Sequence, residues 1–149
     1  MTSTTPTRFT RRSQLYRRHC SANASFEEVA GAAVVCRYAG TDEEVRLASH
    51  LAIADLSTLP RAGFKGAGAP GWLEAQGVQL PKRANQTRRT ADGGLIARLS
   101  STEFLVLADL ATKSTLASIL QEKLSLEVPH GVYSLPRGDS HCRLAISGA

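Results

Sequence analysis

Leu116, Ile119, Leu120 and Leu124 fall at i, i+3, i+4 and i+8, so the stretch from Asp109 to Leu124 carries one apolar stripe when wound as a helix. A helix with a single stripe must lie along another apolar face. The segment just before it supplies one. Gly94–Leu99 and Glu103–Leu107 are apolar runs on either side of Ser100-Ser101-Thr102, the pattern of a hairpin. The chain is thereby restricted to architectures in which a helix packs on antiparallel strands.

The remaining segments fit that restriction. Ala32–Tyr38 (AAVVCRY) ends at Gly40 and suits a buried strand, and Thr41 with Glu44 three positions later forms a capping box for a helix to about Ser49. Ala52–Leu56 and Ala62–Lys65 are extended segments parted at Leu59-Pro60, because a residue before proline is pushed from helical angles. After GFKGAGAPG, Pro70 suits the first turn of a short helix and Gly77 its left-handed end, with Trp72, Leu73 and Gln76 on one face. Val132–Leu135 and Cys142–Ile146 complete the strands. The expectation is an α+β fold, a mainly antiparallel sheet with helices packed on it, forming a single domain over residues 15–149.

Residues 1–14 are Thr, Ser, Pro and Arg with little to bury, and are expected to form a flexible basic N-terminal arm. The net charge of +5 traces to this end: Arg8, Arg11, Arg12, Arg17 and Arg18 all precede the first acidic residue, Glu27. Without these five, thirteen basic residues face thirteen acidic ones. A second acid-free cluster, Lys82, Arg83, Arg88 and Arg89, lies between Pro81 and Asp92. Neither cluster is interleaved with aromatics that would stack on bases, which argues against nucleic acid as the partner. No apolar run is long enough to span a bilayer, and the polar, Arg-rich start lacks the core of a secretory signal, so a cytoplasmic location is expected. Cys20, Cys36 and Cys142 show no metal or dithiol spacing and are read as reduced thiols.

Arg61-Ala62-Gly63-Phe64-Lys65-Gly66-Ala67 and Arg143-Leu144-Ala145-Ile146-Ser147-Gly148-Ala149 share the pattern Arg-x-x-apolar-x-Gly-Ala. Duplication and chance similarity both account for so short an echo.

No complete catalytic constellation can be assembled. Asp139-Ser140-His141 has the residue types of a hydrolytic triad, but consecutive residues on extended chain point to opposite sides and cannot form the relay. His19, His50 and His130 lack ligand-like spacing. GFKGAGAPG matches neither the dinucleotide fingerprint nor a P-loop, and a tight strand-to-helix turn explains its glycines. The candidates left are for partner binding. Arg11, Arg12, Arg17 and Arg18 can pair bidentately with carboxylates, with Tyr16 as an aromatic anchor among them, and Trp72 is either an interface anchor or a core residue.

The ordered pieces ADLS, FKGAGAPGWLEAQG, DGGLIARL and TEFLVL, with RRSQLYRRH near the start and LPRGDSHCRLAISGA at the end, resemble the gamma subunit of heterotetrameric sarcosine oxidase over nearly the whole chain. That family is related in fold to the folate-binding aminomethyltransferase, the T-protein, which resembles Asp55-Leu56-Ser57, Lys65-Gly66 and Asp92-Gly93-Gly94 here. The resemblance implies a fold like the aminomethyltransferase folate-binding domain. It also implies a chain truncated at its C-terminus or completed by a partner, since similar subunits continue through a helix after Ser-Gly-Ala.

In the T-protein the strand after Asp-Gly-Gly bears an acidic pair, one member of which serves the folate and aminomethyl site. The corresponding segment here is Leu95-Ile96-Ala97-Arg98, without a carboxylate. No group remains to stabilise charge at a reacting folate nitrogen, so no catalytic, cofactor or metal residue is assigned to this chain. The resemblance implies larger alpha and beta flavoprotein subunits and a small zinc-binding delta subunit as partners, which would hold FAD, FMN, NAD, tetrahydrofolate and zinc. The implied role is accessory, in oxidising sarcosine or a related N-methyl amine. An autonomous tetrahydrofolate-binding one-carbon transfer protein is the alternative, and a basic nucleic-acid-binding protein a further one.

Overall fold

The computed structural model describes residues 4–109, 114–138 and 140–148. After a single 3-10 turn at Pro6–Arg8 come β1 (Arg11–Arg12), α1 (Tyr16–Ser21), β2 (Ser25–Val29), β3 (Ala32–Arg37), α2 (Thr41–Ala48), β4 (Ala52–Asp55) and β5 (Arg61–Lys65). Then follow α3 (Ala69–Ala75), β6 (Gln86–Arg89), β7 (Leu95–Arg98), β8 (Glu103–Leu107), α4 (Leu116–Glu127), β9 (Tyr133–Leu135) and β10 (Leu144–Ser147). The fold is mixed α+β and its sheets are mainly antiparallel. The chain divides into two compact units, Met1–Thr58 with His141–Ala149 and Leu59–Ser140.

The Leu59–Ser140 unit is built on a five-stranded antiparallel sheet in the order β6-β7-β8-β5-β9. Alternation decides its two faces. Ala62 and Phe64 on β5, Phe104 and Val106 on β8 and Ile96 on β7 point one way and are buried. Trp72 and Leu73 of α3 and Ala117, Leu120 and Leu124 of α4 close over them. Burial of side chains such as Phe64 or Phe104 stabilises the unit by ~2–3 kcal/mol each.

Helix α4 starts at Leu116 rather than Asp109, and residues 110–113 lie outside those described. Asp92 explains the later start. Its Oδ2 accepts Ser114 Oγ–H at 2.8 Å and the N–H groups of Thr115 and Leu116 at 3.1 Å each, so the Asp92 carboxylate caps the helix, with Thr115 at the N-cap position. Ile119, expected on the apolar stripe, is exposed, and Ala117 takes a place in the core.

The other unit holds a three-stranded sheet in the order β1-β3-β2 and a two-stranded antiparallel sheet of β4 and β10. Residues 4–14, expected as a free arm, are laid against it. Thr4 N–H donates to Phe26 O at 3.0 Å, β1 runs parallel to β3, and Ser13 is buried. A polar segment lacking a core of its own can be held this way, because backbone ladders need no apolar side chains. The capping box is also altered. Gly40 is the N-cap of α2, and Glu44 Oε1 reaches back to the N–H groups of Tyr38 at 2.6 Å and Ala39 at 3.2 Å.

Candidate functional site

Strand β7, which follows Asp92-Gly93-Gly94, consists of Leu95, Ile96, Ala97 and Arg98 and carries no carboxylate. Ile96 is fully buried against the helices. Arg98 is committed to structure. Its Nη1 donates to Pro81 O at 3.1 Å and Lys82 O at 3.3 Å, its Nη2 to Ser101 O at 2.9 Å, and its guanidinium stacks 5.4 Å from the Phe104 ring centre. It ties the β7–β8 turn to the segment before β6 and presents no reactive group.

The arginine-rich segment forms a platform on the first unit. Arg12 lies 4.4 Å over the Tyr16 ring centre and Arg17 lies 5.7 Å from it, with Arg17 Nε donating to the Tyr16 hydroxyl at 3.1 Å. That hydrogen bond, with the two positive charges, draws the Tyr16 phenol below its ordinary pKa. Arg11 is different: its Nη2 donates to Thr58 O at 2.9 Å and holds the loop after β4. Arg18 is exposed. The described ion pairs give none of Arg12, Arg17 and Arg18 a carboxylate partner. Trp72 stands apart from this group. It is buried, packs 5.5 Å from the Phe64 ring and donates its indole N–H to Glu127 Oε2 at 2.9 Å, so it belongs to the core and not to an exposed anchor.

A polar hub is built from the same segment together with β4. His19 Nε2 donates to Asp55 Oδ2 at 2.7 Å, Ser13 Oγ donates to the same oxygen, and Ser57 N–H donates to Asp55 Oδ1 at 2.9 Å. With Nε2 protonated, His19 Nδ1 accepts the Tyr38 hydroxyl. Burial alone would raise the Asp55 pKa, but the bonds from Ser13, Ser57 and His19 outweigh it and hold the carboxyl below its usual range. The hub pins α1 and the end of β3 to β4. Sequence reasoning missed it, and the one available signal was Asp55-Leu56-Ser57, an Asp two residues before a serine whose N–H it can accept.

In the other unit, a cleft of about 490 Å³ lies between the end of α3, strand β6 and the start of α4. Gln79, Arg88, Asp92 and Ile119 are among its walls. Arg88 donates to Gln79 Oε1 and Asp92 caps α4, while Arg89, also on the wall, has no described side-chain bond. The glycine-rich turn before α3 is filled: Gly68 N–H donates to Gly131 O at 3.0 Å and Gly66 N–H to Thr102 O at 3.0 Å. Among the described residues, no group of three or more His, Cys, Asp or Glu side chains is placed to hold a metal ion. Asp139 of the rejected triad lies outside the described residues. No helix among those residues is long and apolar enough to cross a membrane.

This arrangement of antiparallel sheets and helices resembles part of the fold of an aminomethyltransferase. It is similar to the crystal structure of glycine cleavage system aminomethyltransferase T from Bartonella henselae, with a TM-score of 0.65 and 18% identity. The likeness covers 93% of this chain and 40% of that one. No family model matches the sequence, and no curated protein matches it.

Proposed function

We propose that this chain is a non-catalytic accessory subunit of a flavin-dependent oxidase complex acting on sarcosine or a related N-methyl amine, where it stabilises the large folate-site subunit. The observation that carries the reading is β7: within an aminomethyltransferase-like fold, the strand expected to bear the working carboxylate holds Leu95, Ile96, Ala97 and a structurally bound Arg98. A scaffold kept without its acid has a packing role open to it and lacks the electrostatic term that normally dominates such chemistry. The face of the β4–β10 sheet supports a partner. Leu51, Ile53, Leu144 and Ile146 share that face, and between 49% and 71% of each is exposed.

Co-expression with the larger flavoprotein subunits tests the proposal. The chain is expected to copurify with them and to raise the yield of yellow, sarcosine-oxidising complex. Equal yield and activity without it would overturn the reading. Tetrahydrofolate binding by the isolated chain, read by calorimetry, would favour an autonomous one-carbon transfer protein instead.

A further inference from the structure

We propose that the Arg12–Tyr16–Arg17 platform is a docking surface for an acidic segment of a protein partner. The proposal deepens the accessory-subunit reading and rests on it for the existence of that partner.

Three observations lead to it. First, both guanidiniums are anchored on one phenol, at 4.4 and 5.7 Å from the ring centre, and Arg17 is further fixed by its bond to the hydroxyl. A guanidinium held in place loses less entropy when it forms paired hydrogen bonds to a carboxylate. Second, no described ion pair gives these arginines a carboxylate, and Asp55, the carboxylate of the hub, is taken up by hydrogen bonds from Ser13, Ser57 and His19. Arg18 adjoins Arg17, and the carboxylates of the same sheet, Glu27 and Glu28, are on β2, two strands from β1 and thus ~10 Å away. Like charges gathered this closely repel one another, and an incoming anion relieves that repulsion. Third, among the described residues β1, the two-residue strand Arg11–Arg12, is at the edge of its sheet with no strand on its outer side, so an extended segment has a short backbone edge to join.

The same geometry favours protein carboxylates over nucleic acid. The aromatic ring on which a base would stack already carries the Arg12 guanidinium over one face, 4.4 Å from its centre. The other basic cluster belongs to a different compact unit.

The test measures binding of a fluorescent peptide of alternating Asp and Glu, and of a single-stranded oligonucleotide of equal charge, by anisotropy with the full chain. The platform variant is Arg12→Glu with Arg17→Glu. The control is Arg88→Glu with Arg89→Glu on β6, an identical change of charge elsewhere. Arg11 is left intact because it holds Thr58. Peptide affinity should fall about tenfold or more in the platform variant and less than about twofold in the control. The pair Arg12→Lys with Arg17→Lys, which keeps charge but loses the planar fork, should fall between them. The proposal is overturned by absent peptide binding in the wild type, by equal losses in platform and control variants, or by an oligonucleotide that binds more tightly than the peptide through these arginines. Failure here with successful co-expression would leave the subunit reading standing, and the reverse result would separate them the other way.

Discussion

Gly66 and Gly148 stand at matching corners. Each follows the last residue of a strand, with φ of +128° and +138°, and each is packed against a carbonyl two residues before the partner strand. A Cβ on Gly66 would lie 2.1 Å from Gly131 O, and one on Gly148 would lie 2.2 Å from His50 O. Lys65 pairs with Tyr133 and Ser147 with Ala52 in the same antiparallel sense. The strand end and glycine of the echo are therefore one local construction used twice, and the glycine is required by both sterics and φ. Gly66→Ala should cost ~2 kcal/mol or more in urea denaturation. Gly71→Ala is the internal control: nothing lies within 4 Å of its added Cβ, its φ is not positive, and it sits in α3. It should be neutral or stabilising by up to ~1 kcal/mol. Equal behaviour of the two variants would contradict the close approach at Gly66.

Among the elements, Asp92 decides where α4 begins and how the unit responds to acid. Partial burial works to raise its pKa, yet bonds from Thr90 and Ser114 and from backbone N–H groups outweigh that and lower it. A carboxyl with a depressed folded pKa contributes stability above its unfolded value, near 4, and the contribution is lost as pH falls through the folded pKa. Asp92→Asn should cost ~1–2 kcal/mol at neutral pH and flatten the loss of stability on acidification, as thermal unfolding across a pH series would show. An unchanged acid profile would remove the cap from the account. This element also marks where the sequence was legible. The hairpin, α3 and the strands around Leu59-Pro60 follow from alternation, proline and glycine, all local signals. The start of α4 depended on a carboxylate more than twenty residues upstream. Strand β6, Gln-Thr-Arg-Arg, is wholly exposed and shows no apolar alternation, so only its ladder with β7 reveals it. Arginine density pointed to the basic segment as a partner-binding candidate, but its placement on β1 and α1 and its stacking on Tyr16 needed tertiary structure.

At the scale of the whole molecule, the unit containing both ends of the chain is short of apolar cover. Helix α2 buries none of its residues, and Ile53 and Ile146 sit directly opposite each other on β4 and β10 with 61% and 71% of each exposed. Leu51 and Leu144 extend the same face. A paired apolar face of this kind costs free energy in water at ~25 cal/mol per Å², which association recovers. Among the described residues the outer edges of β4 and β10 have no strand beside them, a combination that invites association between copies when no other partner is present. Ile53→Thr with Ile146→Thr keeps β-branched side chains suited to strands while making the face polar. In light scattering after size exclusion, the isolated wild-type chain should self-associate with rising concentration and the double variant should remain monomeric. With the larger subunits co-expressed, the variant should be recovered in the complex at least about tenfold less, as expected when apolar anchors are lost from an interface. A wild-type chain that stays monomeric, together with a variant recovered as well as wild type, would show that this face is not a contact. The contact would then have to be sought at the arginine platform, whose binding should weaken with salt, whereas an apolar face should be nearly indifferent to it.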